Sequence, residues 1–192
     1  MAYEKKDFYH RKAKEEGYLA RSAYKLQEIQ KKFKLIKSGA KVLDLGCAPG
    51  AWVQVALPMV GPRGLVLGVD LEKVELKHPQ FRFIHGDAFK LEPEHMPEGP
   101  FDVVLSDMAP KTSGVKIRDQ ARSAELCLHA LAVAEKHLKV GGNLVVKLFE
   151  GEDAHSVRKQ IEARFTTFKP FKPDSTRQAS VEMYLVAMGK KA

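Results

Sequence analysis

The sequence predicts an α/β fold in which a mostly parallel sheet is flanked by helices. Three observations lead there. Short apolar runs alternate with helix-compatible stretches along most of the chain, the order that builds parallel sheets. Several runs carry an aspartate at their carboxyl end: Asp44, Asp70, Asp87 and Asp107. The first run, in KVLDLGCAPGAW (41–52), passes through a glycine turn straight into the helical stretch AWVQVALPMV. Strand, glycine turn and helix N-terminus form the first unit of an open sheet whose ligands bind at the carboxyl edge.

The bounds of the chain agree with such a fold. Its 192 residues suit a single domain, 1–192, with a substantial core. The N-terminus MAYEKKDFYHRKAK lacks the apolar segment of a secretory signal. No apolar run approaches the ~18 residues of a membrane span, so a cytoplasmic protein with no membrane partner is expected. Cys47 and Cys127 form no C-x-x-C pair, and neither a metal site nor a disulfide is expected.

Charge is unevenly distributed. Residues 1–41 carry 12 Lys/Arg against 5 Asp/Glu, and residues 158–192 carry 8 against 3. The stretch between them carries 12 against 16, within an overall net charge of +8. A neutral-to-acidic body with basic ends is the footprint of a protein that grips a polyanion.

Taken in order, residues 4–16 and 21–37 read as two basic helices broken at Gly17, with Ser22 a candidate cap of the second. Tyr24, Leu26, Ile29, Phe33 and Ile36 give the second a loose apolar stripe. Lys25 lies off that stripe and reads as a surface lysine. Tyr3, Phe8, Tyr9 and Tyr18 are interleaved with the charge, available either for packing or for stacking on bases.

Strand 65–70 ends in Asp70, about 20 residues past the turn, where a carboxylate accepts hydrogen bonds from a ribose diol. FRFIHGDAF (81–89) gives a third strand followed by Gly86-Asp87, which brings Asp87 to where it could meet an adenine amino group. Strand 101–110 carries Asp107 at the ligand edge. Residues 118–139 form an amphipathic helix with Cys127 in the core and His129 structural, and Gly141-Gly142 is expected to stop it. In NLVVKLFEG (143–151) the apolar run is broken by Lys147, an anomaly in a central strand buried on both faces. A helix over 153–163 and strands over 165–173 and 179–188 complete the chain, with Glu182 interrupting the last.

The glycine turn itself narrows the ligand. Ala48-Pro49 stands where a dinucleotide fingerprint needs glycine-spaced amides. Asp44 would repel a pyrophosphate and suits a cation. An adenosyl ligand with an amino-acid tail and a sulfonium charge fits better than a nicotinamide cofactor.

These motifs carry a family likeness. From ARSAYKLQEI (20–29) through DLGCAPGAW, HGDAF, LSDMAP and VVKLFEG to SVEMYLV, the sequence resembles the FtsJ/RrmJ-type 2′-O-ribose RNA methyltransferases. The resemblance implies a Rossmann-like class I S-adenosylmethionine-dependent methyltransferase, a mostly parallel seven-stranded sheet with an antiparallel last strand. It implies basic RNA-facing helices over 1–40 and a catalytic core over 41–192. It places a catalytic tetrad on Lys25, Asp107, Lys147 and Glu182, with Lys147 as general base. It places the cofactor on Gly50, Trp52, Asp70, Asp87 and Asp107, to which the reading of the glycine turn adds Asp44, Gly46 and Pro49. S-adenosylmethionine is the implied cofactor, S-adenosylhomocysteine its product, and no metal is required. The implied partner is RNA, a uridine of the assembled large ribosomal subunit, met by a monomer. Ala51 stands where many relatives have glycine, and Cys47 where alanine is common.

Three other readings compete. A transfer-RNA 2′-O-ribose enzyme would share every motif. A base methyltransferase is disfavoured because LSDMAP lacks the aromatic of a D-P-P type motif, and neither cysteine is placed as a nucleophile. A non-catalytic ribosome assembly factor would have little reason to keep the whole tetrad.

Overall fold

The computed structural model describes residues 2–192, with side chains for all but residues 1–7 and Pro93. The stacking expectation for Tyr3 lies outside the described residues. Helices α1 (Ala2–Glu15) and α2 (Ala23–Phe33) precede β1 (Lys41–Leu45), α3 (Ala51–Val60), β2 (Leu65–Asp70), β3 (Phe81–His85) and β4 (Phe101–Ser106). Then come α4 (Lys116–His137), β5 (Leu138–Phe149), α5 (Ala154–Arg164), β6 (Phe165–Phe171) and β7 (Glu182–Lys190). The seven strands make one sheet in the order β3-β2-β1-β4-β5-β7-β6. β7 alone is antiparallel to its neighbours, β5 and β6.

Two apolar clusters fill the two faces of this sheet. Leu43, Leu45 and Val146 belong to the cluster shared with α4 and α5. Val42, Leu105, Val145 and Tyr184 belong to the one shared with α2 and α3. Because strand side chains alternate between faces, this second face also receives Asp44, Asp107, Lys147 and Glu182. The carboxylates and the lysine therefore leave the sheet on the side that α2 covers.

Several boundaries differ from the sequence reading. Helix α2 stops at Phe33, not residue 37, because Lys34 is left-handed (φ 53°). The Gln30 amide then holds Ile36 through its N–H and C=O, at 2.9 and 2.7 Å. Ser22 is not a side-chain cap: it is already helical (φ −62°, ψ −18°) and its hydroxyl makes no cap bond. Its carbonyl instead accepts the Trp52 indole N–H at 2.9 Å.

Gly141-Gly142 does not end α4. The helix runs directly into β5 at Leu138, and the glycines lie in a bulge where Phe101 pairs Leu138 but Val103 already pairs Asn143. Gly141, at φ 80°, supplies the left-handed residue that a bulge of this kind favours. The third strand ends at His85, just before Gly86-Asp87 as expected, and Asp87 caps a short 3-10 turn by accepting Phe89 N–H at 3.0 Å. His129 stacks on Phe89 with ring centroids 4.3 Å apart. Cys127 is buried, which pushes its thiol up to about 12.

Candidate active site

Strand register builds the centre of the site. Ser106 of β4 pairs Val146 of β5, and Lys147 pairs Tyr184 of β7. Asp107, Lys147 and Tyr184 therefore form one row across three strands. In that row Lys147 Nζ lies 3.0 Å from Asp107 Oδ1 and also donates to the Asp107 carbonyl. The Tyr184 hydroxyl donates to the same Oδ1 at 2.6 Å. Two residues along β7, on the same face, Glu182 pairs with Lys25 of α2. Lys25 Nζ stands 5.7 Å from the centre of the Tyr184 ring. All four tetrad residues thus come together as two ion pairs bridged by one aromatic ring. Lys25 and Lys147 are both buried, at 8% and 7% exposure, so neither is an ordinary surface lysine.

Tyr184 is the residue the sequence reading missed. A tyrosine in an apolar strand reads as core, and this one is fully buried. Burial first, and then the carboxylates of Asp107 and Glu182, push its hydroxyl well above the ordinary value, so it remains a donor. A hydrogen bond to a charged acceptor stabilises a protein by about 1.5–3 kcal/mol. Tyr184→Phe is expected to lower stability by about that amount with the fold intact. A denaturation midpoint identical to that of the parent would show that the bond contributes nothing.

The cofactor candidates lie at the same edge. The turn after β1 uses two positive-φ glycines, Gly46 at 72° and Gly50 at 110°, conformations that cost other residues energy. A Cβ on Gly46 would stand 2.3 Å from Met108 Cγ, so the chain after β4 closes directly over the turn. Asp70 holds the turn, its Oδ2 accepting Ala48 N–H at 2.8 Å and its Oδ1 accepting Glu72 N–H at 2.9 Å. Asp44 is buried, and its Oδ2 has no hydrogen-bond partner among the described residues. Burial, then the charges of Asp107 and Asp70, raise its carboxyl well above the usual carboxylate range. An unpaired buried carboxyl at a sheet edge is costly unless a partner arrives.

Trp52, two residues past Gly50, is buried. Its ring is 3% exposed and lies 5.6 Å from that of Tyr184, with its N–H held by Ser22. It ties α3 to the start of α2. Cys47, in the turn, is buried, and burial with the nearby Asp44 and Asp70 raises its thiol above the ordinary value, the opposite of an activated nucleophile. Among the described residues no group of three or more His, Cys, Asp or Glu side chains could hold a metal ion, and no helix is long and apolar enough to cross a membrane.

A sheet of this order, with an antiparallel seventh strand and a glycine turn after its first strand, is a Rossmann-like α/β fold, and the family match makes it a methyltransferase. The chain belongs to the FtsJ-like methyltransferase family, whose profile matches residues 18–190. It is 48% identical to the ribosomal RNA large subunit methyltransferase E of Bdellovibrio bacteriovorus, over 100% of both chains. It is 49% identical to the protein of the same name from Syntrophobacter fumaroxidans, over 98% of each. Among solved structures it is similar to a ribosomal RNA methyltransferase from Plasmodium falciparum, with TM-score 0.80 and 29% identity over 90% of this chain and 98% of that one.

Proposed function

We propose that the protein methylates the ribose 2′-hydroxyl of a uridine in large-subunit ribosomal RNA, acting in the cytoplasm on the assembled subunit. The observation that carries the reaction type is the pairing of Lys147 with Asp107 and of Lys25 with Glu182 around Tyr184. The names of the relatives support the target. S-adenosylmethionine is the proposed cofactor, and the residues present suit it: an unpaired buried Asp44 for a cationic group, and a glycine turn no Cβ obstructs. Asp44, Gly46, Pro49, Gly50, Asp70, Asp87 and Asp107 would hold it, with Trp52 bracing the turn. The bound cofactor supplies an electrophilic sulfonium methyl.

The protein's own contribution is orientation and one proton. A ribose hydroxyl is a weak nucleophile, so it must be aligned and relieved of its proton as the carbon–oxygen bond forms. In this reading Lys147 Nζ takes that proton, and the Asp107 carboxylate stabilises the ammonium that results. Tyr184 fixes the Asp107 oxygen that faces the lysine. Lys25, neutralised by Glu182, donates to the ribose and aligns it.

The test is methyl transfer from labelled S-adenosylmethionine, with large subunits, naked ribosomal RNA and transfer RNA offered in parallel and the product nucleoside identified. A 2′-O-methyluridine on the large subunit is the expected result. Transfer to transfer RNA alone would replace the substrate, and a methylated base would overturn the reaction.

A further inference from the structure

Helix α3 starts at the glycine turn and reaches back to the segment that leads into α2. Gln54 lies one helical turn past Gly50, its N–H donating to the Gly50 carbonyl at 2.9 Å. Both ends of its side-chain amide are used. Nε2 donates to the Gly17 carbonyl at 3.0 Å, and Oε1 accepts Leu19 N–H at 2.8 Å. One amide thus grips the link between α1 and α2, where Gly17 is left-handed at φ 75°. Leu19 leans on the turn as well: its Cδ1 would lie 3.2 Å from a Cβ built on Gly50.

The next residues carry this constraint to the tetrad. The carbonyls of Ala20, Arg21 and Ser22 accept the N–H groups of Ala23, Tyr24 and Lys25 at 3.2, 3.3 and 3.0 Å. The Ser22 carbonyl also accepts the Trp52 indole N–H. Helix α3 therefore holds the approach to Lys25 at two points, through Gln54 and through Trp52. A single tie would let the start of α2 pivot, and the second sets its direction. Both Gln54 bonds lie at the surface, where such bonds are exchanged for bonds to water at modest net gain. They set geometry more than they hold the fold together.

We propose that Gln54 is a positioning residue that keeps Lys25 in register with the glycine turn, so that one helix aligns the ribose with the methyl donor. The inference rests on the proposed methyl transfer and deepens it. Reacting groups must meet in a near-attack arrangement, and a misplacement of about 1 Å can cost about 10²-fold in rate.

The test compares the parent protein with Gln54→Met, which keeps the length of the side chain and removes both bonds, and with Gln54→Glu, which keeps only the acceptor. The first readout is amide hydrogen exchange without any ligand. In Gln54→Met the amides of Leu19 and Lys25 should exchange about tenfold faster, while those in the middle of α3 keep their protection. The second is single-turnover methyl transfer with cofactor and RNA saturating. Gln54→Met should be about tenfold slower with both affinities unaltered, and Gln54→Glu should fall between it and the parent. In a Lys25→Ala background the methionine substitution should cost almost nothing more, because Gln54 acts through Lys25. A merely structural residue would impose the same factor in both backgrounds, and that result would overturn the proposal. Parental exchange at Lys25 in Gln54→Met would overturn it too, as would a rate loss explained by weaker cofactor binding. Absence of methyl transfer by the parent would instead count against the reaction, with exchange at Lys25 still deciding whether Gln54 holds it in place.

Discussion

Lys147→Ala is expected to slow methyl transfer by about 10²–10⁴-fold, the range associated with a positioned general base. Affinity for S-adenosylmethionine should be retained, because Lys147 contacts Asp107 through its side chain while the glycine turn and Asp70 are built without it. The substitution also breaks a buried ion pair and leaves Asp107 with the Tyr184 hydroxyl as its remaining donor. Removing one member of such a pair destabilises by up to about 3–5 kcal/mol. For a chain of this size each kcal/mol shifts the melting temperature by about 2–4 °C, so rates should be compared well below the lower transition. Lys147→Met, which keeps the apolar stem in its slot, should recover part of the stability and none of the rate. Single-turnover assays with labelled cofactor would decide. Near-parental turnover in either variant would remove Lys147 from the role of base.

For Asp44→Asn the effects on stability and on function should have opposite signs. The folded carboxyl is raised well above its ordinary 3.8, first by burial and then by Asp107 and Asp70. As pH rises above 3.8 the unfolded chain releases a proton that the folded chain keeps, so the parent loses stability by about 1.4 kcal/mol per pH unit until the folded carboxyl ionises as well. An amide has no such dependence. The melting temperature of Asp44→Asn relative to the parent should therefore increase as pH rises above 4. Affinity for S-adenosylmethionine should meanwhile fall at least about tenfold, or about 1.4 kcal/mol, because an amide cannot release the proton that an approaching positive charge would displace from Asp44. A melting difference independent of pH would refute the assignment of Asp44 as a carboxyl held out of its ordinary range.

How legible each residue was in the sequence follows from its local surroundings. Lys147 was visible because a charge interrupts an otherwise apolar central strand. The strand-end aspartates were visible because apolar runs stop beside them, and the sheet places them along one edge. Lys25 carried no such mark, and the interruption by Glu182 is what an edge or alternating strand would also show. One sits on a helix crowded with lysines and the other at the start of a strand, and only the tertiary crossing of α2 over β7 buries them together. They entered through the family likeness. Tyr184 was invisible for a different reason: its ring satisfies the core while its hydroxyl does separate work. The misread ends share one cause. Gly141-Gly142 and Ser22 have the chemistry of helix termini, but the same chemistry serves a bulge in β5 and a carbonyl that receives Trp52.

The antiparallel entry of β7 has a consequence for how the enzyme comes into being. Glu182 and Tyr184 reach the site from a strand that slots between β5 and β6, both synthesised before it. During translation the glycine turn and its aspartates can assemble while the tail of the chain is still being made. The second ion pair and the tyrosine that steadies Asp107 come only when β7 zips into the gap. A nascent or prematurely ended chain stopping short of residue 182 would carry the glycine turn and its aspartates without the Lys25–Glu182 pair or the Tyr184 bond to Asp107, so on the proposed mechanism it would be inactive until the sheet closes.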